Sequence, residues 1–282
     1  YKDHQKGIVI VKDNSSAPMI HFLPKYMKAN DITDNDLSVL TNGVSNSISD
    51  AWVNGKKIIE RDITCKNGYI HKVDGVMTAS ENMASIIRNH SNMSGWSKLI
   101  DRYSAPYYDD AITKEYDRLF NSTDSVFIMK YFSAVANTTS GDNKVDPDKQ
   151  NVSPYLSFDP GWNQYMYKNT SGMTLNYDCG AMLVPTNAAL DEWWNSGGKP
   201  LKDEYKSWEN VPDQVLSKLI NVNMIPQFAS TVPSKFSNIV NDAKVELGVK
   251  PADVDSCFMG CNGVVYLTNK VFSPAAYASV SF

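Results

Sequence analysis

The stretch Asn262–Phe272, NGVVYLTNKVF, decides the fold, because the chain carries a second version of it at Asn67–Met77, NGYIHKVDGVM. Both versions open with Asn-Gly, which forms tight turns because glycine adopts positive φ freely and asparagine tolerates it. The residues that follow are apolar in a run or in alternation, and each version ends in valine and a large apolar side chain. This pattern predicts a β-strand that follows a turn, twice in one chain.

The likeness between the two regions extends upstream of the Asn-Gly turns. Ser45–Ala51 (SNSISDA) parallels Ser237–Ala243 (SNIVNDA). Ser45 and Ser237 are 192 residues apart, and Asn67 and Asn262 are 195 residues apart. Two anchors with nearly the same spacing indicate two copies of one structural unit.

Composition bounds the class of protein. The 282 residues are enough for two domains, and 42% hydrophobic with 21% charged residues is typical of a globular chain. A net charge of −4 gives no electrostatic reason to bind nucleic acid. No apolar run approaches the roughly 20 residues that span a bilayer, and the opening residues are too polar for a signal peptide.

Local patterns predict the other elements. Asn54-Gly55 between two apolar runs predicts a β-hairpin. Ser80 is placed to cap a helix, and Thr186 or Asn187 to cap another that Gly197-Gly198 ends. Further strands are predicted at Gly7–Val11, Ser125–Phe132 and Ala181–Val184, and apolar helix stripes at Met83, Ile86, Ile87, at Trp96, Leu99, Ile100, Tyr103 and at Leu216, Leu219, Ile220, Met224.

Two boxes in order carry a family resemblance. Met182–Leu190 (MLVPTNAAL) runs from a strand into a helix through Pro-Thr-Asn, and the Asn-Gly phrase closes each unit. Together with the hairpin segment Trp52–Ile63, these boxes resemble the fasciclin (FAS1) domain family. The resemblance covers most of residues 80–282 and the C-terminal part of one domain in residues 1–77. The family pattern has His and Asp at two positions of the closing phrase. His71 and Asp74 match them in the first copy, whereas Tyr266 and Asn269 replace them in the second.

The resemblance implies an α+β fold: a FAS1-like β-wedge with packed helices, in tandem copies. Residues 1–77 would be the C-terminal part of a first domain, whose N-terminal half lies outside this sequence. Residues 78–282 would be a second domain enlarged by an insertion at about 104–180. The resemblance also implies a cell-surface or extracellular location, with any membrane attachment made by a lipid anchor outside this chain.

Cysteines and acidic residues give weak site signals. Cys65, Cys179, Cys257 and Cys261 are interpreted first as scattered small core residues, with a Cys257–Cys261 disulfide as the alternative. Cys-x3-Cys has no second ligand pair at zinc-binding spacing, so no metal site is predicted. Asp142, Asp146 and Asp148 are spaced too irregularly for a calcium loop and are interpreted as a solvated loop.

Histidines do not form a recognisable catalytic motif. His71 is expected to be buried and hydrogen-bonded, His21 half-buried, and His4 and His90 exposed. Nucleophile-elbow, zinc-protease, dinucleotide and phosphate-loop patterns are absent. No catalytic residue and no cofactor are therefore assigned, and the chain is expected not to be an enzyme.

The inserted region is the predicted source of specificity, because aromatic side chains provide large contact areas at low entropic cost. We expect some of its aromatic residues to contact a protein or glycan partner and the rest to build the core. Binding of a small hydrophobic ligand or porphyrin, and an unrecognised hydrolase, are the two alternatives. The aromatic residues concerned are Tyr107, Tyr108, Tyr116, Tyr131, Phe132, Tyr155, Phe158, Trp162, Tyr165 and Tyr167.

Overall fold

The computed structural model describes residues 6–11, 21–78, 80–133, 156–161, 168–169, 172–173, 180–240 and 246–274. This region contains both helices and β-sheets, which confirms the α+β prediction. The strands are β1 Ile8–Val11, β2 His21–Phe22, β3 Trp52–Val53, β4 Lys56–Cys65, β5 Gly68–Val73, β6 Ser104–Tyr108, β7 Val126–Tyr131, β8 Lys168–Asn169, β9 Gly172–Met173, β10 Gly180–Pro185, β11 Met224–Ile225, β12 Val254–Gly260 and β13 Gly263–Thr268. The helices are α1 Pro24–Ala29, α2 Asp34–Leu40, α3 Met83–Asn89, α4 Ser94–Asp101, α5 Asp110–Phe120, α6 Asn187–Asn195, α7 Lys199–Tyr205 and α8 Asp213–Val222.

The central sheet has the strand order β11-β10-β13-β12. Its two middle strands, β10 and β13, run parallel and pair from Gly180 opposite Gly263 to Pro185 opposite Thr268. Every residue of both strands is buried. Successive side chains point to opposite faces, so the pair must be covered on both sides.

Two hydrophobic cores provide that cover. On one face, Met182, Val184, Val265 and Leu267 pack with apolar residues of α3, α4, α6 and α8. On the other face, Ala181, Leu183, Val264 and Tyr266 pack with Ile225, Phe228, Val232, Phe236, Ile239 and Val249. The sheet is therefore the middle layer between two cores.

Residues from the first 77 positions enter the second of these cores. Phe22, Met27, Leu37 and Trp52 are buried together with Leu183 and Tyr266 and belong to one cluster. Asp36, at the start of α2, is fully buried and bonds to Ser234 on the far side of this core. The two sequence units thus share packing, while their division into two domains at residue 78 stays a prediction.

The two copies of the repeated phrase form the same hairpin. In each hairpin the last residue pair of the two strands flanks a two-residue turn. Cys65 lies opposite Gly68 in the first hairpin, and Gly260 lies opposite Gly263 in the second. Their surroundings differ sharply. β13 lies wholly inside the protein, whereas five of the six residues of β5 are exposed.

Most local predictions are confirmed. Asn54-Gly55 joins β3 to β4 with positive φ at both residues. Thr186 caps α6 by accepting a hydrogen bond from the Ala189 amide. The α3 and α4 stripes and the α8 stripe through Ile220 are buried as expected.

Two local predictions are wrong in detail. Asn82, not Ser80, caps α3 through the Ser85 amide at 2.8 Å. Met224 lies in β11, beyond the end of α8. β2 precedes α1, which begins at Pro24 because proline is favoured at the first helical position.

Candidate interaction surface

Residues 104–131, which lie in the predicted insertion, form a helix–sheet unit together with β1. β7 is central, with β1 parallel on one side and β6 antiparallel on the other. α5 follows β6 and is capped by Asp109, whose carboxylate accepts a hydrogen bond from the Ile112 amide at 2.9 Å. This unit brings the N-terminal strand β1 beside the insertion.

Thr113 fixes α5 to the sheet. Its side chain is buried, its hydroxyl donates to the Asp109 carbonyl at 2.7 Å, and it accepts from the Val126 amide at 2.9 Å. Thr113 is the only buried residue of α5. The remainder of the helix is therefore held at the surface by a small number of contacts.

Exposed or half-buried apolar side chains lie on β6, on β7 and on α5 of this unit. Tyr108 packs edge-on against Phe127, with ring centroids 5.9 Å apart, and Tyr116 packs against Phe120 at 4.6 Å. Leu119 is 58% exposed and Phe120 is 66% exposed. We call these five residues the aromatic surface.

Charged side chains of the same helix accompany the aromatic surface. Lys114 pairs with Asp110, and Arg118 makes a two-pronged contact with Glu115. The Glu115 bond raises the pKa of Arg118, and the Asp110 bond raises that of Lys114. Such exposed pairs add little stability, so their effect is to keep the surroundings charged and solvated.

The aromatic residues predicted from the insertion divide between core and surface. Tyr131, Phe132 and Phe158 are buried, Tyr107 and Tyr116 are half-buried, and Tyr108 is exposed. Tyr155, Trp162, Tyr165 and Tyr167 lie outside the described residues. The sequence analysis did not single out Leu119 and Phe120. The pattern that could have indicated them is an apolar pair at the end of a helix, directly before Asn121, whose backbone is left-handed.

His71 does not occupy the position predicted for it. The prediction of a buried histidine is wrong, because His71 lies on the exposed strand β5, where its Nδ1 accepts a hydrogen bond from the Asp62 amide. Its counterpart Tyr266 is buried and donates a hydrogen bond to the Thr231 carbonyl at 2.8 Å. The same sequence position thus faces a core in one copy and solvent in the other.

The remaining histidines and the acidic loop give no assembled site. His90 is half-buried, rather than exposed as predicted, and its ring packs against Phe258. His4, the His21 side chain and Asp142, Asp146 and Asp148 lie outside the described residues. Within the described ranges, no three His, Cys, Asp or Glu side chains gather as metal ligands would.

Cys65, Cys257 and Cys261 are free thiols. The alternative of a Cys257–Cys261 disulfide is therefore wrong. Cys257 sits on β12 facing the core, and its burial raises the pKa of the thiol to about 12. A thiol with so high a pKa is a poor nucleophile at neutral pH. Cys179 lies outside the described residues.

Two perturbed groups, Asp159 and Tyr131, lie in the interior, both within residues 104–180. Desolvation raises the pKa of Asp159 to about 7, although the amides of Gly161 and Tyr131 donate hydrogen bonds that lower it. Desolvation also raises the pKa of Tyr131, whose hydroxyl bonds to Asp101 and Arg88. Both groups are hydrogen-bonded to backbone or side-chain partners, as buried polar groups usually are. We therefore interpret them as structural.

Comparison with known protein families gives a match for part of the chain. The fasciclin domain model matches residues 14–79, a stretch that contains β2, α1, α2 and both Asn-Gly hairpins of the first unit. No curated protein matches the chain. Among the described helices, none has the length and apolar character needed to cross a bilayer. Residues 14–79 of the chain are thereby assigned to the fasciclin (FAS1) domain family.

Proposed function

We propose that this chain is a non-catalytic adhesion protein that binds a protein partner through the aromatic surface of the inserted unit. A fasciclin domain is typical of adhesion or interaction proteins, and such domains are generally without catalytic activity. The observation that carries the proposal is the exposure of Leu119 and Phe120 at the end of a helix. Contiguous exposed apolar side chains rimmed by charged residues mark interaction sites, and Leu119 and Phe120 are neighbours at the end of a helix that carries Glu115 and Arg118.

The side chains of the aromatic surface suit a protein more than a glycan. Leu119 is aliphatic, and Phe120 has no polar group that could pair with sugar hydroxyls. Aromatic anchors of this kind fill apolar pockets on a partner and dominate the binding energy. A glycan partner is the other possibility, and the experiment below distinguishes the two.

The overall organisation forms part of the same proposal. Residues 1–77 would be the C-terminal part of a first fasciclin-like domain, and residues 78–282 a second domain with an insertion. The identical closing registers of the two hairpins support this duplication. A secreted or cell-surface location, with a lipid anchor supplied outside this chain, would present the insertion to partners.

The test is binding of the purified protein to intact cells that carry the partner. We expect Leu119→Asp combined with Phe120→Ala to weaken binding at least tenfold, because both exposed anchors are lost. Val44→Asp is the matched control, since Val44 is also 58% exposed but lies far away in sequence, between α2 and β3.

Treatment of the cells identifies the partner class. Loss of binding after protease treatment, with retention after glycosidase treatment, supports the protein partner. Loss after glycosidase treatment alone would show that the partner is a glycan. Equal binding by the double variant and the wild type would overturn the assignment of the aromatic surface.

A further inference from the structure

A cavity lies between helix α1 and the segment 227–235 that follows β11. Its volume is about 610 Å³, which is within the size range of pockets that bind small ligands. Helix α1 belongs to the first sequence unit and the segment 227–235 to the second. The cavity therefore lies where the two units meet, and none of the residues of the aromatic surface lines it.

Apolar side chains form part of the cavity wall. Phe228 is buried and packs against Phe22, with ring centroids 6.1 Å apart, so its position is fixed by the core behind it. Leu23 and Ala29 also line the cavity, and both are exposed to solvent. A ligand with an apolar body would remove these surfaces from water, which favours binding.

The charge of the cavity is positive. Among the described residues that line it, Lys25 and Lys235 are the only charged ones. Neither lysine forms an ion pair with a carboxylate of the described residues. The whole chain has a net charge of −4, so the cavity differs in sign from the protein around it. A cleft lined by one sign of charge attracts ligands of the opposite sign.

Lys235 is held in place at the cavity. Its side chain is half-buried, and its Nζ donates hydrogen bonds to the carbonyl of Asn30 and, at 3.0 Å, to the carbonyl of Ala229. Both of these residues line the cavity. An ammonium group carries three hydrogens, so one remains for a ligand. The two carbonyls thus position the charge of Lys235 without neutralising it.

We propose that this cavity binds a small organic carboxylate with an apolar body. The ammonium of Lys235 donates its remaining hydrogen to the carboxylate, and Lys25 supplies a second positive charge. Leu23, Ala29 and Phe228 contact the apolar body. Because the ligand touches both sequence units, its binding also strengthens the contact between them.

The test is calorimetric titration of the folded 282-residue protein with naphthoate, an aromatic carboxylate. Naphthoate should bind saturably, and the uncharged naphthamide should bind about tenfold more weakly. Lys235→Met should weaken the binding of naphthoate about tenfold, because a charge-assisted hydrogen bond is lost. Lys25→Gln should weaken it about fivefold, as expected for an exposed charge. Lys28→Gln is the matched control, since Lys28 is exposed on the same helix but does not line the cavity.

A further variant tests the position of the bound probe. Ala29→Phe places a large ring at an exposed position that lines the cavity, so it should abolish the binding of naphthoate while circular dichroism shows an unchanged fold. Retained binding by Ale29→Phe is not expected, and it would place the probe elsewhere and overturn the proposal. Absence of saturable binding, equal affinity for naphthamide, or an effect of Lys25→Gln no larger than that of Lys28→Gln would also overturn it.

Discussion

At the scale of single residues, burial dominates the chemistry of the interior. Asp159 is buried, and its pKa of about 7 lies well above the ordinary value of 3.8. Between these two pKa values, the unfolded chain releases a proton that the folded protein keeps. The contribution of Asp159 to stability is therefore greatest below about pH 4 and is lost as the pH rises towards 7.

Asp159→Asn should remove this part of the pH dependence while keeping the side-chain oxygen that accepts from the Gly161 amide. Relative to wild type, the variant should gain up to about 4 kcal/mol in free energy of unfolding between pH 4 and pH 8. Urea denaturation at both pH values measures the gain. An identical difference between variant and wild type at pH 4 and pH 8 would show that the Asp159 pKa is not raised.

The thiols should differ in reactivity for a related reason. Cys65 is partly accessible at the end of β4, whereas Cys257 is buried and its pKa is raised to about 12. Alkylation of the native protein at pH 8, read by mass spectrometry, should modify Cys65 within minutes and leave Cys257 unmodified until urea is added. Modification of Cys257 at the rate of Cys65 would contradict its placement in the core.

At the scale of elements, Asp36 joins α2 to the opposite side of the shared core. Its carboxylate accepts from the amide and hydroxyl of Thr33, and from the amide and hydroxyl of Ser234. Asp36→Asn should lower the free energy of unfolding by about 2–4 kcal/mol, because an amide cannot accept four hydrogen bonds in this arrangement.

Asp31→Asn is the control for that substitution, because Asp31 is exposed and its change should cost less than about 0.5 kcal/mol. A double-mutant cycle with Ser234→Ala measures the coupling across the core, expected at about 1–2 kcal/mol. Zero coupling would mean that the two units do not pack as described.

The two hairpins offer a matched pair of substitutions. Gly68 and Gly263 both have positive φ, so alanine carries a similar backbone cost at each. Only at Gly263 would the new methyl group collide with a neighbouring strand. Gly263→Ala should therefore destabilise the protein by at least about 2 kcal/mol more than Gly68→Ala, as measured by chemical denaturation. Equal losses would show that β10 does not press against β13.

At the scale of the whole molecule, sequence patterns predicted the elements better than their environment. Local chemistry predicts the Asn-Gly turns and the apolar stripes of the helices. The duplication in the sequence predicts that the two repeated phrases form the same hairpin. The burial of Tyr266 and the exposure of His71 are not predicted in this way, because both depend on whether a strand covers the hairpin. Leu119 and Phe120 were missed because exposure at a helix end is decided by what packs there, and periodicity does not report that.

The shared core was also beyond sequence reasoning. Phe22, Leu37 and Trp52 were predicted to belong to a first unit, and nothing local indicates that they pack against Leu183 and Tyr266 of the second. Such contacts join residues more than a hundred positions apart and arise from the complementary shapes of two surfaces. Patterns in a single sequence specify each surface but not their pairing.

The central claim is that one repeated hairpin serves as buried core in β13 and, among the residues that the structure describes, as an open edge in β5, the last strand of the sheet β2-β3-β4-β5. Amide hydrogen exchange resolved to single residues tests this claim most directly. We predict that the β13 amides exchange only on global unfolding, while those on the open edge of β5 exchange at least about a thousand times faster. Equal protection of the two strands would contradict the account.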